Sequence, residues 1–281
     1  MRRYDATAMK QGEGEWRMNV EANGISFNTK IEGADGAPWV TFSNSLACNL
    51  SMWDGQVAAL RDDYRILRYD TRGHGGTDAP EGPYSFDMLV GDVIGLWDAL
   101  GIERGHFIGL SLGGMTALGL ALGHAGRLSS ITVCNARAEA PPEFRDIWDT
   151  RIATVSENGM EATIDATIER WFTPGFSAGD PPVLDLVREM IRATSLEGYI
   201  GCARALQGLD YLPRLGAIST PALFIAGAGD GATPAEGMRA MHQAVANSQY
   251  VELDPAAHIS NLEQPEAFND ALTTFLAANT A

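Results

Sequence analysis

The sequence predicts an α/β fold: a mostly parallel, twisted sheet with helices on both faces and a helical lid insertion between two late strands. Three observations predict it. From residue 39 onward, short apolar runs alternate with helix-length segments, the pattern of strands joined by crossover helices. The alternation stops at Asn135 and resumes at Pro221, and the stretch between holds helix formers broken by Pro141-Pro142, Pro174 and Pro181-Pro182. Finally, Gly109-Leu110-Ser111-Leu112-Gly113 joins an apolar run to an Ala- and Leu-rich one, which marks a tight strand-to-helix turn.

Taken in order, residues 1–16 read as a polar N-terminal extension. Residues 17–31 alternate apolar and polar about Asn23-Gly24, the signal of an antiparallel hairpin with its turn dipeptide in place. Strands are expected at Trp39–Phe42, Tyr64–Tyr69, Gly105–Leu110 and Leu128–Val133, with helices at about 51–61, 85–100 and 112–124 between them. Ser85 or Asp87 can cap the second helix, and Gly101 can end it. After the insertion come a strand at Pro221–Gly227, a helix at about 234–245, a strand at Tyr250–Leu253 and a closing helix at about 265–278. The organisation expected is therefore a core of residues 17–136 and 214–281 carrying a helical cap of residues 137–213. A two-domain chain with a helical middle domain is the rival organisation.

With 281 residues, the chain is near the upper limit for one hydrophobic core. No stretch approaches the ~18 uninterrupted apolar residues of a membrane span. Arg2 and Arg3 are followed by no apolar run, so no secretory signal is expected. A net charge of −16 argues against nucleic acid and anionic membrane surfaces as partners. Cys48, Cys134 and Cys202 are odd in number and lack metal-ligand spacing, so a reducing cytoplasm and no metal are expected.

The chemistry is carried by Ser111. A strand ending in a strained turn before a helix pushes its hydroxyl out at the carboxyl end of the sheet. That hydroxyl needs a base, held in one tautomer. Of five histidines, His258 alone leaves a late strand in a loop; His106 lies in a strand, and His124 and His242 fall on helices. Asp230, directly after the preceding strand, is the expected acid, with Asp254 as the alternative; Asn135 occupies a rival acid position but cannot carry charge. The order Ser111, Asp230, His258 is that of the α/β-hydrolase fold. Backbone N–H groups of Leu112 and Leu46, or Ser45 in place of the latter, are the expected oxyanion donors. His74 reads as a turn residue bracing neighbouring loops, and Cys48 as a small buried side chain.

With these residues assembled, the chain resembles the α/β-hydrolase superfamily over residues 16–280, and within it is similar to the 3-oxoadipate enol-lactonases of the β-ketoadipate pathway. The matching segments include Ser43-Asn44-Ser45-Leu46, Met52-Trp53-Asp54, Arg72-Gly73-His74-Gly75 and His258-Ile259-Ser260-Asn261-Leu262-Glu263-Gln264-Pro265. Ala47-Cys48-Asn49 and Asn135-Ala136-Arg137 depart from the usual pattern beside the pocket. The resemblance implies a cofactor-free hydrolysis of a small enol lactone in aromatic catabolism, through an acyl-enzyme on Ser111. It also implies a substrate carboxylate, for which Arg137, Arg145 and Arg151 are the candidate cations, with Ser45 and Trp148 also on the substrate side. A carboxylesterase or perhydrolase acting on another small ester is the nearest rival, and a ligand receptor without efficient turnover the more distant one. Dehalogenases and epoxide hydrolases are disfavoured, since both place Asp where Ser111 stands. A homo-oligomer is compatible with the sequence.

Overall fold

The computed structural model of the protein describes residues 9–12 and 15–280. Nine strands form one sheet: β1 (Met9–Gly12), β2 (Glu15–Ala22), β3 (Ile25–Gly33), β4 (Trp39–Ser43), β5 (Arg65–Tyr69), β6 (Gly105–Leu110), β7 (Leu128–Cys134), β8 (Ala222–Gly227) and β9 (Ser248–Leu253). Their order is β1-β2-β3-β5-β4-β6-β7-β8-β9, and every pairing from β5 to β9 is parallel. This is the expected α/β-hydrolase fold.

The hairpin forms where the alternation predicts it, with Ala22 opposite Ile25. Asn23 and Gly24 both take left-handed backbone, at φ 53° and 78°, the turn that suits the right-handed twist of the strands. The N-terminal extension needs correction in part. Met9–Gly12 pairs antiparallel with β2, so a strand stands where a polar tail was expected. Its four residues are too few to show a hydrophobic period. Residues 15 and 16 of the expected extension begin β2, and residues 1–8 and 13–14 lie outside the described residues.

Helices α1 (Asp54–Leu60), α2 (Phe86–Leu100) and α3 (Leu112–Gly123) follow as the periodicity predicts. Ser85 rather than Asp87 caps α2, accepting the Met88 N–H, and Gly101 ends it at φ 71°. Neighbouring strand residues show how both faces are covered. Thr41 accepts from the Trp97 indole of α2, at 2.9 Å, whereas Phe42 stacks on Trp53, which packs on Phe268. Successive side chains of a strand point to opposite faces, so α2 covers one face and the Trp53–Phe268 layer the other.

Between β7 and β8 come α4 (Pro142–Asn158), α5 (Ile164–Trp171), α6 (Pro174–Ala178), α7 (Val183–Ala193) and α8 (Leu196–Gln207). The two ends of this segment are zipped together. Tyr211 N–H donates to Ala138 at 2.7 Å, Ala140 N–H to Leu209 at 2.9 Å, and Glu139 bridges Asp210. The chain closes through α9 (Ala235–Ala244), α10 (Ser260–Glu263) and α11 (Pro265–Asn279). Among the described residues no helix is long and apolar enough to cross a membrane.

Candidate active site

Ser111 occupies the turn between β6 and α3 at φ 55°, ψ −111°. A non-glycine residue is rarely held there, so its neighbours must enforce it. Ser111 N–H donates to Cys134 at 2.8 Å, and Gly113 N–H donates to Asn44 at 3.1 Å, tying the turn to both flanking segments. The glycines are sterically required. A Cβ on Gly109 would stand 2.0 Å from the Gly113 carbonyl oxygen, and one on Gly113 would stand 2.2 Å from that of Ser43.

Asp230 and His258, far apart in the chain, meet in space. His258 Nδ1 donates to Asp230 Oδ2 at 2.8 Å, and both side chains are buried. Asp230 Oδ2 also accepts from Asn135 Nδ2 at 3.0 Å and Thr233 Oγ1 at 2.5 Å. Its Oδ1 accepts the N–H groups of Ala232 and Thr233 at 2.8 and 3.0 Å. Burial alone would raise this carboxyl. The His258 ring beside it, with hydrogen bonds from His258, Thr233 and Asn135, outweighs that and holds it below the ordinary aspartate value. Asp254 is exposed and makes no hydrogen bond to His258.

Asn135, read as an uncharged rival for the acid position, is instead a bracket. Beyond Asp230, its Nδ2 donates to the Ala257 carbonyl at 3.1 Å, and its Oδ1 accepts from Ser260 at 2.6 Å. Its side chain therefore spans the acid loop and the His258 loop. The residue sits at φ 45°, where asparagine is more at ease than most.

Ser111, His258, Ser45 and Leu46 line one cavity of about 130 Å³. The Ser111 hydroxyl makes no hydrogen bond among the described residues, and none joins it to His258. Likewise, the N–H groups of Leu46 and Leu112 meet no acceptor among the described residues. The Ser45 N–H, by contrast, is directed at Met52 sulfur, 3.4 Å away, which leaves Leu46 as the free donor of its loop.

The helical segment supplies the far wall. Trp148 and Arg151 of α4 line the cavity, as does Arg170 of α5, but Arg137 and Arg145 do not. Arg145 is exposed, and Arg137 lies over the Phe144 ring at 3.9 Å. Arg151 stacks over Trp148 at 4.7 Å and pairs with no carboxylate among the described residues. Arg170 donates to the Ala166 carbonyl and Thr167 hydroxyl. Burial, with Arg151 nearby, pushes Arg170 down to about 10, and burial lowers Arg151 as well. The Trp148 indole N–H on this wall, and the Ser45 hydroxyl in the loop after β4, are buried without a hydrogen-bond partner among the described residues. Arg170 is absent from the sequence reading. Its trace is local: Thr167, Arg170 and Trp171 share one face of α5 at helical spacing, so a cation falls beside the buried stripe.

Three histidines are engaged elsewhere. His106 bonds Ser130 and Thr280, His242 bonds Ser248, and His74 bonds the backbone of Arg72 and Ala47. His124 follows α3 rather than lying within it. Cys48 is buried, which raises its thiol pKa.

A sequence profile of the alpha/beta hydrolase family matches residues 35–271. The chain is 39% identical to 3-oxoadipate enol-lactonase 2 of Acinetobacter baylyi over 253 residues, covering 90% of this chain and 94% of that protein. In structure it is similar to the enol-lactonase of Burkholderia xenovorans LB400, at a TM-score of 0.89 and 42% identity, covering 92% of this chain and all (100%) of that one. A thermophilic esterase of Thermogutta terrifontis is similar at a TM-score of 0.88 and 26% identity, covering 94% of this chain and 99% of that one.

Proposed function

The chain belongs to the alpha/beta hydrolase family, and on that premise we propose that it is a serine hydrolase opening 3-oxoadipate enol-lactone to 3-oxoadipate. One observation carries the reading: the 2.8 Å bond from His258 Nδ1 to Asp230 lies at the wall of the cavity that Ser111 lines. A proton on Nδ1 leaves Nε2 with a lone pair for the Ser111 proton. As Ser111 Oγ bonds to the lactone carbonyl carbon, Asp230 stabilises the imidazolium. The developing oxyanion takes the N–H groups of Leu46 and Leu112, each donor of this kind contributing about 3 kcal/mol.

Collapse breaks the ring C–O bond and expels an enolate, which takes its proton from His258 and ketonises. Water, deprotonated by His258, then attacks the acyl-enzyme and frees Ser111. The ring-opened acid and its precursor both carry a carboxylate, for which Arg151 and Arg170 supply charge and the Trp148 indole a donor. In this reading residues 137–213 act as a cap whose α4 and α5 close the cavity over Ser111. We place the reaction in the cytoplasm, where three free, buried cysteines suit the redox setting.

The second reading is an esterase or other lactonase for a different small ester, favoured by the likeness to the thermophilic esterase. Steady-state turnover of the enol lactone beside p-nitrophenyl acetate, with Ser111→Ala as control, separates them. Efficient lactone turnover with weak ester activity, both lost in Ser111→Ala, supports the lactonase. Poor lactone turnover with good ester hydrolysis supports the esterase.

A further inference from the structure

Glu263 is a buried carboxylate with no part in the chemistry above, and its two oxygens face two different segments. Oε1 accepts the N–H and the hydroxyl of Thr173, at 3.0 and 2.5 Å, from the start of α6. Oε2 accepts the N–H of Ala257, at 2.8 Å, one residue before His258. On the other side of His258, the Ile259 N–H donates to the Trp171 carbonyl at 3.1 Å. The Trp171 ring itself lies 6.2 Å from the His258 ring. Both peptide neighbours of His258 are thus fastened to residues 171–173, directly or through Glu263.

We propose that Glu263 is a positioning residue, whose carboxylate ties Thr173 to Ala257 and so sets where the His258 imidazole stands relative to Ser111. The inference rests on the reading of His258 as the base. Charge and shape both matter to it. A carboxylate is acceptor-only and can serve both segments at once, whereas an amide must turn a donor toward one of them. Glu263→Gln therefore keeps the size of the side chain but sets an NH2 against either the Ala257 N–H or the Thr173 N–H. Because Trp171 and Arg170 line the cavity, the same tie also links the His258 loop to the substrate wall.

The test uses p-nitrophenyl acetate, so that its outcome does not depend on the lactone. Glu263→Gln should lower kcat roughly 10- to 100-fold with KM within about two-fold, the signature of a displaced reacting group. Thr173→Val should lower kcat less, and Thr173→Ser, which keeps the hydroxyl, should restore it. A wild-type kcat in Glu263→Gln and Thr173→Val, with only the thermal midpoint lowered, overturns the proposal and leaves Glu263 a structural fastener. Should Glu263→Gln not fold, the Thr173 pair decides the matter by the same criteria. His258→Ala is run in parallel. Wild-type turnover there sinks the assignment of the base, an outcome distinct from failure of the Glu263 variants.

Discussion

The imidazole of His74 accepts the N–H of Ala47 at 3.0 Å, while Ala47 itself is held at φ 61°. His74 Nδ1 donates to the Arg72 carbonyl at 3.0 Å, which fixes the tautomer that leaves Nε2 free to accept. The loop so braced carries Leu46, the N–H assigned to the oxyanion. Replacing His74 by Ala should cost about tenfold or more in kcat for p-nitrophenyl acetate with little change in KM, as expected when an oxyanion donor is displaced. His74→Gln, whose carbonyl oxygen can accept the same bond, should recover part of the loss. Equal kcat in wild type and His74→Ala would separate this bond from turnover.

His74 also marks an acid limit on stability. Burial lowers its pKa from 6.5 to about 4, and burial, then Arg104, lowers that of His106 to about 4. Both rings are folded as neutral bases, so above pH 6.5 neither state gains protons and stability is unaffected. Between pH 6.5 and 4 the unfolded chain takes up protons that the folded one refuses, and stability falls as pH falls. The loss should reach about 3 kcal/mol per ring by pH 4. Urea unfolding at pH 7 and pH 4.5 checks it, and His106→Gln should remove about half of the difference, since His74 remains.

Asp230→Asn keeps the shape of the acid but presents a donor or a neutral acceptor to His258 Nδ1. Loss of the orienting charge should lower kcat by about 10³- to 10⁴-fold, with a folded protein by circular dichroism. Retention of a tenth of the activity or more would point to another acid.

Arg151→Ala and Arg170→Ala test the carboxylate reading. Charge-assisted hydrogen bonds contribute about 1.5–3 kcal/mol, so each variant should raise KM for the anionic lactone by roughly 10- to 100-fold. KM for the neutral p-nitrophenyl acetate should change little. Arg145→Ala, at an exposed position away from the cavity, is the control and should leave both substrates unaffected. Equal effects on both substrates would remove the arginines from recognition.

Two glycines should respond in opposite senses to alanine. At Gly113 the new Cβ meets the Ser43 carbonyl at 2.2 Å, so Gly113→Ala should destabilise by about 1–3 kcal/mol or more. Gly237 lies exposed in α9 with no atom within 4 Å of a Cβ, and Gly237→Ala should stabilise by about 0.5–1 kcal/mol. Thermal unfolding of the two variants beside wild type measures both.

Much of the fold is legible because its signals are local. The Asn23-Gly24 turn, the Ser85 cap, the Gly101 stop and the run through Ser111 each reside in a few consecutive residues, and each appears in the structure within two residues or so of its expected place. The chain order Ser111, Asp230, His258 carries over in the same way, since a site at the carboxyl ends of parallel strands inherits its order from theirs. Met9–Gly12 escapes because a four-residue polar strand has no period of its own and exists only against β2.

Local signals therefore establish the succession of elements, the strained turn at Ser111 and the presence of residue types suited to acyl transfer. Tertiary structure alone decided that Asp230 rather than Asp254 meets His258, that Ser45 spends its N–H on Met52, and that Arg170 rather than Arg145 reaches the cavity. The reason is physical. Turns, caps and periodicity are energies of neighbours in the chain, whereas these choices are made between residues far apart in sequence, by packing that sets one candidate against its partner or the cavity and turns the other elsewhere.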